Sequence, residues 1–282
     1  MTARTFSTIT EMPTHEGGPA FSARGPRGMV DLDPFLNVDL FQMTGPVFAP
    51  HPHAGFSAVT YLFDDSTTRF HTRDSLGDNS MIVPGGVHWT VAGSGIVHDE
   101  VVEQVGRLGH GAQIFVRLPV DAEENDPYGM HLTPDDLPNL EINDGARIRV
   151  VAGEIAGDRS PVHEAASSHV YDLVLEPQAR VELPVDPAFR GFLMTIHGDA
   201  HIATSTTTGA LGPSGLAVFE PGEGTIEIVA GPDGAQLLVG AGRPLRTPAF
   251  MHGGFCLSSR DRVAAAIERY QSGEMAGALT AP

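Results

Sequence analysis

Cysteine is almost absent from this chain of 282 residues, where Cys256 stands alone. A single thiol excludes an internal disulfide and a thiolate zinc cluster, so any metal must be held by histidine and carboxylate. Set between Phe255 and Leu257, the thiol reads as core filler. Positive charge is also scarce. The chain has 17 Lys and Arg against 35 Asp and Glu, a net charge of −18, and the cations are scattered. Such a field repels nucleic acid and anionic membranes, so neither is expected as a partner. Nowhere do about 18 uncharged apolar residues run together, and the opening MTARTFSTITEMPTHEGGPA lacks the apolar core of a signal peptide. The expectation is a soluble, cytoplasmic protein.

Aromatic residues make up only 7%, while there are 33 Gly and 22 Pro, a composition suited to short strands and tight turns. No phosphate loop of the G-x-G-x-x-G or Walker pattern occurs, which argues against nucleotide binding. Ser94, in AGSG, lacks the G-x-S-x-G setting of a hydrolase nucleophile.

The chain reads as all-β. SAVTYLF (Ser57 to Phe63) is β-branched and aromatic between Gly55 and Asp64-Asp65, and MIV, HWTVA, GIVHDEVV and AQIFVRL follow, separated by turn sequences. Pro119 to Asp144 is a Pro- and acid-rich connection in which Thr133-Pro134-Asp135-Asp136 starts one helical turn. A second series follows: ARIRVVAGE, HVYDLVLE, ARVELPV, GFLMTIHGDAHI, GLAVFE, GTIEIVA and AQLLVGA. Ala58-Val-Thr-Tyr-Leu-Phe and Met81-Ile-Val-Pro-Gly-Gly echo Gly191-Phe-Leu-Met-Thr-Ile and Ala217-Val-Phe-Glu-Pro-Gly, which suggests duplication of one β-barrel unit. The expected domains are 1–130, metal-binding, and 131–282, without metal ligands and ending in a short helix. Ser258 is the expected N-cap with Asp261 as its partner, Val263, Ile267 and Tyr270 form the apolar face, and Gly273 is the stop.

Two pairs carry the chemistry. In a strand, residues i and i+2 share a face roughly 6.6 Å apart at Cα. His51 and His53 have this spacing, as do His98 and Glu100. If the two strands are neighbours, the four side chains converge and Asp99 points away. Three imidazoles and a carboxylate leave positions open for chemistry in a five- or six-coordinate site, but can equally close a tetrahedral zinc site. His197 and His201, at i, i+4, would stand about 13 Å apart in a strand and cannot share an ion. His71 and His88 are candidate supporting donors, although histidines so placed are more often simply exposed or capped.

These residues lie in stretches that resemble the pirin family of the cupin superfamily: LDPFL (Leu32 to Leu36), HPHAGF, RDSLG (Arg73 to Gly77), PGGVHWTVAGSGIVHDE (Pro84 to Glu100), RVVAGE (Arg149 to Glu154), ELP (Glu182 to Pro184) and ERYQSG (Glu268 to Gly273). The resemblance implies two tandem cupin β-barrels, a bicupin. It also implies one divalent metal, iron first and Mn, Ni, Cu, Co or Zn as alternatives, on His51, His53, His98 and Glu100. It further implies quercetin 2,3-dioxygenase activity, with a small molecule and O₂ as partners and Glu100 as ligand or base. The alternative it carries is a non-enzymatic, redox-responsive regulator that binds a protein. The chain departs from the usual pattern at Ala54 and Ser94, where arginines are usual. It also has Gly86 for Asp, and His88-Trp89-Thr90 for Gln-Trp-Met.

Overall fold

The computed structural model describes residues 2–163, 165–275 and 279. Its chain divides into two compact units, one comprising Met1–Pro13, Gly28–Pro34 and Asp136–Pro244, the other Thr14–Arg27, Phe35–Asp135 and Leu245–Pro282. Both are all-β, and among the described residues one α-helix occurs, Arg260–Ser272. No helix there is long and apolar enough to cross a membrane.

The unit containing the HPH stretch has a seven-stranded sheet in the order Tyr128–Leu132, Val87–Val91, Phe56–Leu62, Gly109–Arg117, Phe35–Met43, Phe21–Arg24, Thr14–Glu16. A four-stranded sheet runs His51–His53, Ile96–Val102, Phe70–Asp74, Asn79–Ile82. Phe56–Leu62 is buried at every position, as befits a central apolar strand covered on both faces. Phe41, Leu62, Phe70 and Ile82 form part of the packing between layers.

The other unit is a nine-stranded sheet whose main path is Phe6–Glu11, Gly215–Phe219, Arg190–Ala203, Ile226–Gly242, His169–Leu175, Ala146–Ala152, Asn139–Asn143. Its interior is filled by side chains such as Ile148, Leu173, Leu193, Phe219, Ile228 and Leu237. The two main paths follow the same plan. Phe56–Leu62 and the first half of Arg190–Ala203 occupy the third place in each, so the first sequence echo marks equivalent strands. The second echo does not. Met81-Ile82 lies in the four-stranded sheet, whereas Ala217 to Phe219 lies in the strand that matches Val87–Val91, because a turn Pro-Gly can follow either strand.

Other local expectations shift as well. The stretch Pro119 to Asp144 is more than a connection, since Tyr128–Leu132 pairs with Val87–Val91 and Asn139–Asn143 with Ala146–Ala152. The helical turn falls at Pro134–Asp136. The helix cap is Ser259, whose side chain accepts from the Arg262 N–H, because Ser258 instead donates to Glu123 Oε2 at 2.7 Å. Gly273 ends the helix at φ 82°. Its buried face is Val263 and Ala266, with Ile267 partly covered, while Tyr270 remains 40% exposed.

Arg4 closes one end of the nine-stranded unit. Fully buried, its guanidinium donates to the carbonyls of Val185, Asp186, Phe189, Glu220 and Gly224 at 3.0–3.3 Å. Five backbone acceptors share this one charge, and a truncation takes that donor from all of them, although Asp186 O also accepts from the Phe189 N–H at 2.9 Å. Arg4→Ala is expected to lower unfolding stability by about 3 kcal/mol in urea titrations; an unchanged midpoint would show that water replaces the guanidinium freely.

Candidate metal centre

The HPH strand is short, and its position is fixed from two sides. On one side it pairs antiparallel with Ile96–Val102, placing His51 opposite His98 and His53 opposite Ile96. The neighbour relation that the i, i+2 spacing required is therefore present. On the other side Phe255–Leu257 lies against it, with Ala54 N–H donating to Gly254 O at 3.2 Å and Cys256 N–H to Ala54 O at 3.0 Å. Gly254 permits the approach: a Cβ there would lie 2.0 Å from Pro52 O and 3.2 Å from His53 Nδ1. Gly55, at φ 83°, supplies the turn into the next strand.

This register brings three imidazoles together. Each pair among His51, His53 and His98 has ring centroids 4.8 Å apart, and their donor nitrogens all lie within 4.8 Å of one another. His51 Nδ1 donates to Ala49 O at 2.9 Å and His53 Nδ1 to Gly254 O at 3.4 Å. A carbonyl can only accept, so in each ring Nε2 keeps its lone pair. Burial pushes His53 down to about 3, with the neighbouring His51 adding to the effect. His98 is driven well below the usual range by burial and then by His53, His51 and His88. Both rings are neutral at pH 7, and His98 Nδ1 has no hydrogen-bond partner. Converging ring nitrogens, those of His53 and His98 dry and neutral, are matched by a divalent cation, so these residues fit a metal.

Glu100 lines the same cavity but stands outside that nitrogen spacing. Its Oε2 lies 2.5 Å from Thr60 Oγ1, which is also 3.1 Å from Gln113 Oε1. A hydroxyl has one proton to give. With Glu100 ionised, Thr60 donates to it; with Glu100 protonated, the acid donates to Thr60 and Thr60 to Gln113. Burial pushes Glu100 up to about 7, against the Thr60 hydrogen bond and helped by Asp99. Asp99 lies on the opposite face, as expected, but is fully buried in an ion pair with Arg73 rather than turned to solvent.

The cavity has a volume of about 460 Å³ and mainly apolar walls, including Phe21, Phe41, Phe70 and Phe115, with Phe48 half exposed. Arg27 and His15 are polar lining residues. Of the two supporting candidates, His71 sits with Arg73 on the outward row of its strand, its ring bonded to Asn79. His88 is buried and directly opposite Thr60. Thr60, Gln113 and Gly254 were not singled out from sequence. None carries a spacing signature, because each reaches the centre through pairing with a distant segment.

The family profile described as Pirin matches residues 22–116, and the one described as Pirin C-terminal cupin domain matches 170–276. A Pseudomonas aeruginosa protein named "Putative quercetin 2,3-dioxygenase" is 30% identical, over 93% of this chain and 96% of its own. Human pirin is 30% identical over 84% of this chain and 81% of its own. A crystal structure described as quercetin 2,3-dioxygenase from Acinetobacter baumannii has a TM-score of 0.84 at 25% identity, covering 98% of this chain and 91% of that one.

Two measurements probe the geometry. Gly254→Ala must push Pro52 or its own strand aside, so it is expected to cost about 1–3 kcal/mol and weaken zinc binding by about tenfold, read by urea and metal titration. In metal-free protein, Glu100 is neutral in both folded and unfolded states below pH 4.5, and between there and about 7 only the unfolded chain ionises it. The folded state therefore loses stability as pH rises through that window, by about 3 kcal/mol in all. Metal-free Glu100→Gln should be the more stable protein at pH 8, with the advantage shrinking toward pH 4.5; equal pH profiles would contradict this.

Proposed function

The chain belongs to the pirin family, and on that premise we propose that it is a metal-dependent dioxygenase, iron(II) being the first choice of metal. Its substrate would be a flavonol such as quercetin or a related enol or phenol. The observation that carries this reading is the trio of converging imidazoles, with Glu100 beside them, in the wall of a mainly apolar cavity. His51, His53, His98 and Glu100 would hold the ion and leave room for substrate. A metal there supplies Lewis acidity toward a substrate oxygen and a redox partner for O₂.

The residues of the chain provide the rest. A cavity of about 460 Å³ suits a ligand of flavonol size, and its phenylalanines offer flat, dry contacts for fused rings. Glu100, with its affinity for a proton raised to about 7, is matched to taking a hydroxyl proton near neutral pH. Thr60 can reverse its hydrogen bond as that proton arrives, so the carboxyl is never left unpaired. The same donor set also accepts manganese, cobalt, nickel, copper or zinc, and by affinity alone copper or nickel would displace iron. Loading conditions therefore decide which ion is present.

Protein loaded with iron under nitrogen and then mixed with quercetin and oxygenated buffer should consume O₂, and His98→Ala should reduce the rate to background. Uptake equal to that of His98→Ala would refute the reading. Metal affinity should fall by up to about tenfold per pH unit below 7, because the ion must displace the Glu100 proton. His53, pushed down to about 3, adds no such slope there; a flat profile down to pH 5 would remove Glu100 from the ligand set.

A further inference from the structure

From the cavity wall, where Asp39 and Gln113 stand, past Thr60 to His88, one face of the seven-stranded sheet is unexpectedly polar. Strand pairing sets Asp39 opposite Gln113, Gln113 opposite Thr60, Thr60 opposite His88 and His88 opposite His131, one continuous row on a single face of the sheet. Neighbours in such a row have Cα atoms about 5 Å apart. Thr72 lies opposite Glu100, and Thr90 follows His88 on the same face.

Several polar atoms here are buried without a partner: both ring nitrogens of His88, His131 Nδ1, Thr72 Oγ1, Thr90 Oγ1 and Asp78 Oδ2. Buried polar atoms in native proteins are satisfied by protein or by ordered water. Room for water is present. A Cβ placed on Gly129 would lie 3.5 Å from His88 Cε1, 3.6 Å from His88 Nε2 and 3.9 Å from Asp74 Oδ2, so the ring and that carboxylate face the same space. The charged or titratable groups around His88 are Asp78, with Oδ2 3.8 Å from His88 Nδ1, His131 at 5.9 Å between ring centroids, Asp74 and His98. The Asp78 side chain is 29% exposed, although the Oδ2 that faces His88 is buried, so this residue joins the row to the surface. His88 and Thr90 are also the positions where Gln and Met are usual in the resembling family, so both departures fall on this face of the sheet.

We propose that this row is a hydrated proton path, and that His88 carries the proton released when a substrate hydroxyl binds at the centre out to Asp78 and bulk water. The step balances without any redox partner. The substrate O–H bond breaks as Glu100 takes the proton, which is handed on through the Thr60 hydroxyl and bound water to one ring nitrogen of His88, and the other nitrogen gives up its proton toward Asp78. Neutral imidazole is suited to this because it offers a lone pair and an N–H at once. His88 is assigned no contact with substrate or metal.

This inference rests on the functional reading above, and the test separates the two. Iron-loaded protein is mixed anaerobically with quercetin in weak buffer containing a pH indicator, with flavonol absorbance reporting binding and the indicator reporting proton release. In the unaltered protein, release should keep pace with binding. His88→Gln should bind at the same rate but release its proton about tenfold more slowly or worse. Gly129→Ala, whose added methyl makes only ordinary contacts, folds and keeps His88 but fills the space, and should slow release as well. If both variants release protons as fast as the unaltered protein, the path is refuted while the metal reading stands. If the unaltered protein binds no flavonol, the functional reading fails and this inference fails with it.

Discussion

Everything proposed for this protein depends on one antiparallel pairing, that of His51–His53 with Ile96–His98. Without it, HxH and HxE are two unrelated polar pairs. With it, three imidazoles stand 4.8 Å apart, and burial holds His53 and His98 in the neutral form. A three-residue strand cannot hold such a register by itself. Gly254 and Cys256 brace it from the chain's C-terminal region, which explains why a sequence motif near residue 50 needs a glycine 200 residues later.

The same burial that suits the histidines to a cation works against Glu100. Dry surroundings favour neutral imidazole and disfavour carboxylate, so the two halves of the site respond to acid in opposite senses. The structure resolves this by giving Glu100 a reversible hydroxyl partner rather than a cation. Arg73, on the neighbouring strand, is paired with Asp99.

Much of this was legible in the residues. The i, i+2 spacing identified the histidines, and the Gly-Pro punctuation and short β-branched runs identified the fold class. What remained hidden was non-local. Tyr128–Leu132 looked like linker because its acid- and Pro-rich flanks masked an edge strand that only pairing with Val87–Val91 reveals. The helix began one residue late because Ser258 had a better acceptor in Glu123. Ala54, in place of the usual arginine, proves to be fully buried against Phe255, Leu257 and the C-terminal helix. Ser94, the other replacement, offers its carbonyl to Arg269. The Ala54 position therefore bears on packing behind the HPH strand rather than on the cavity, whose only arginine is Arg27 among the described residues.

The most direct test of the central claim is anomalous diffraction from crystals of the metal-loaded protein, recorded on either side of the metal absorption edge. One strong peak within bonding distance of His51, His53 and His98, and none in the Asp136–Pro244 region, is the result predicted. A loaded protein with no peak among those three rings, or with its metal bound elsewhere, would contradict the account.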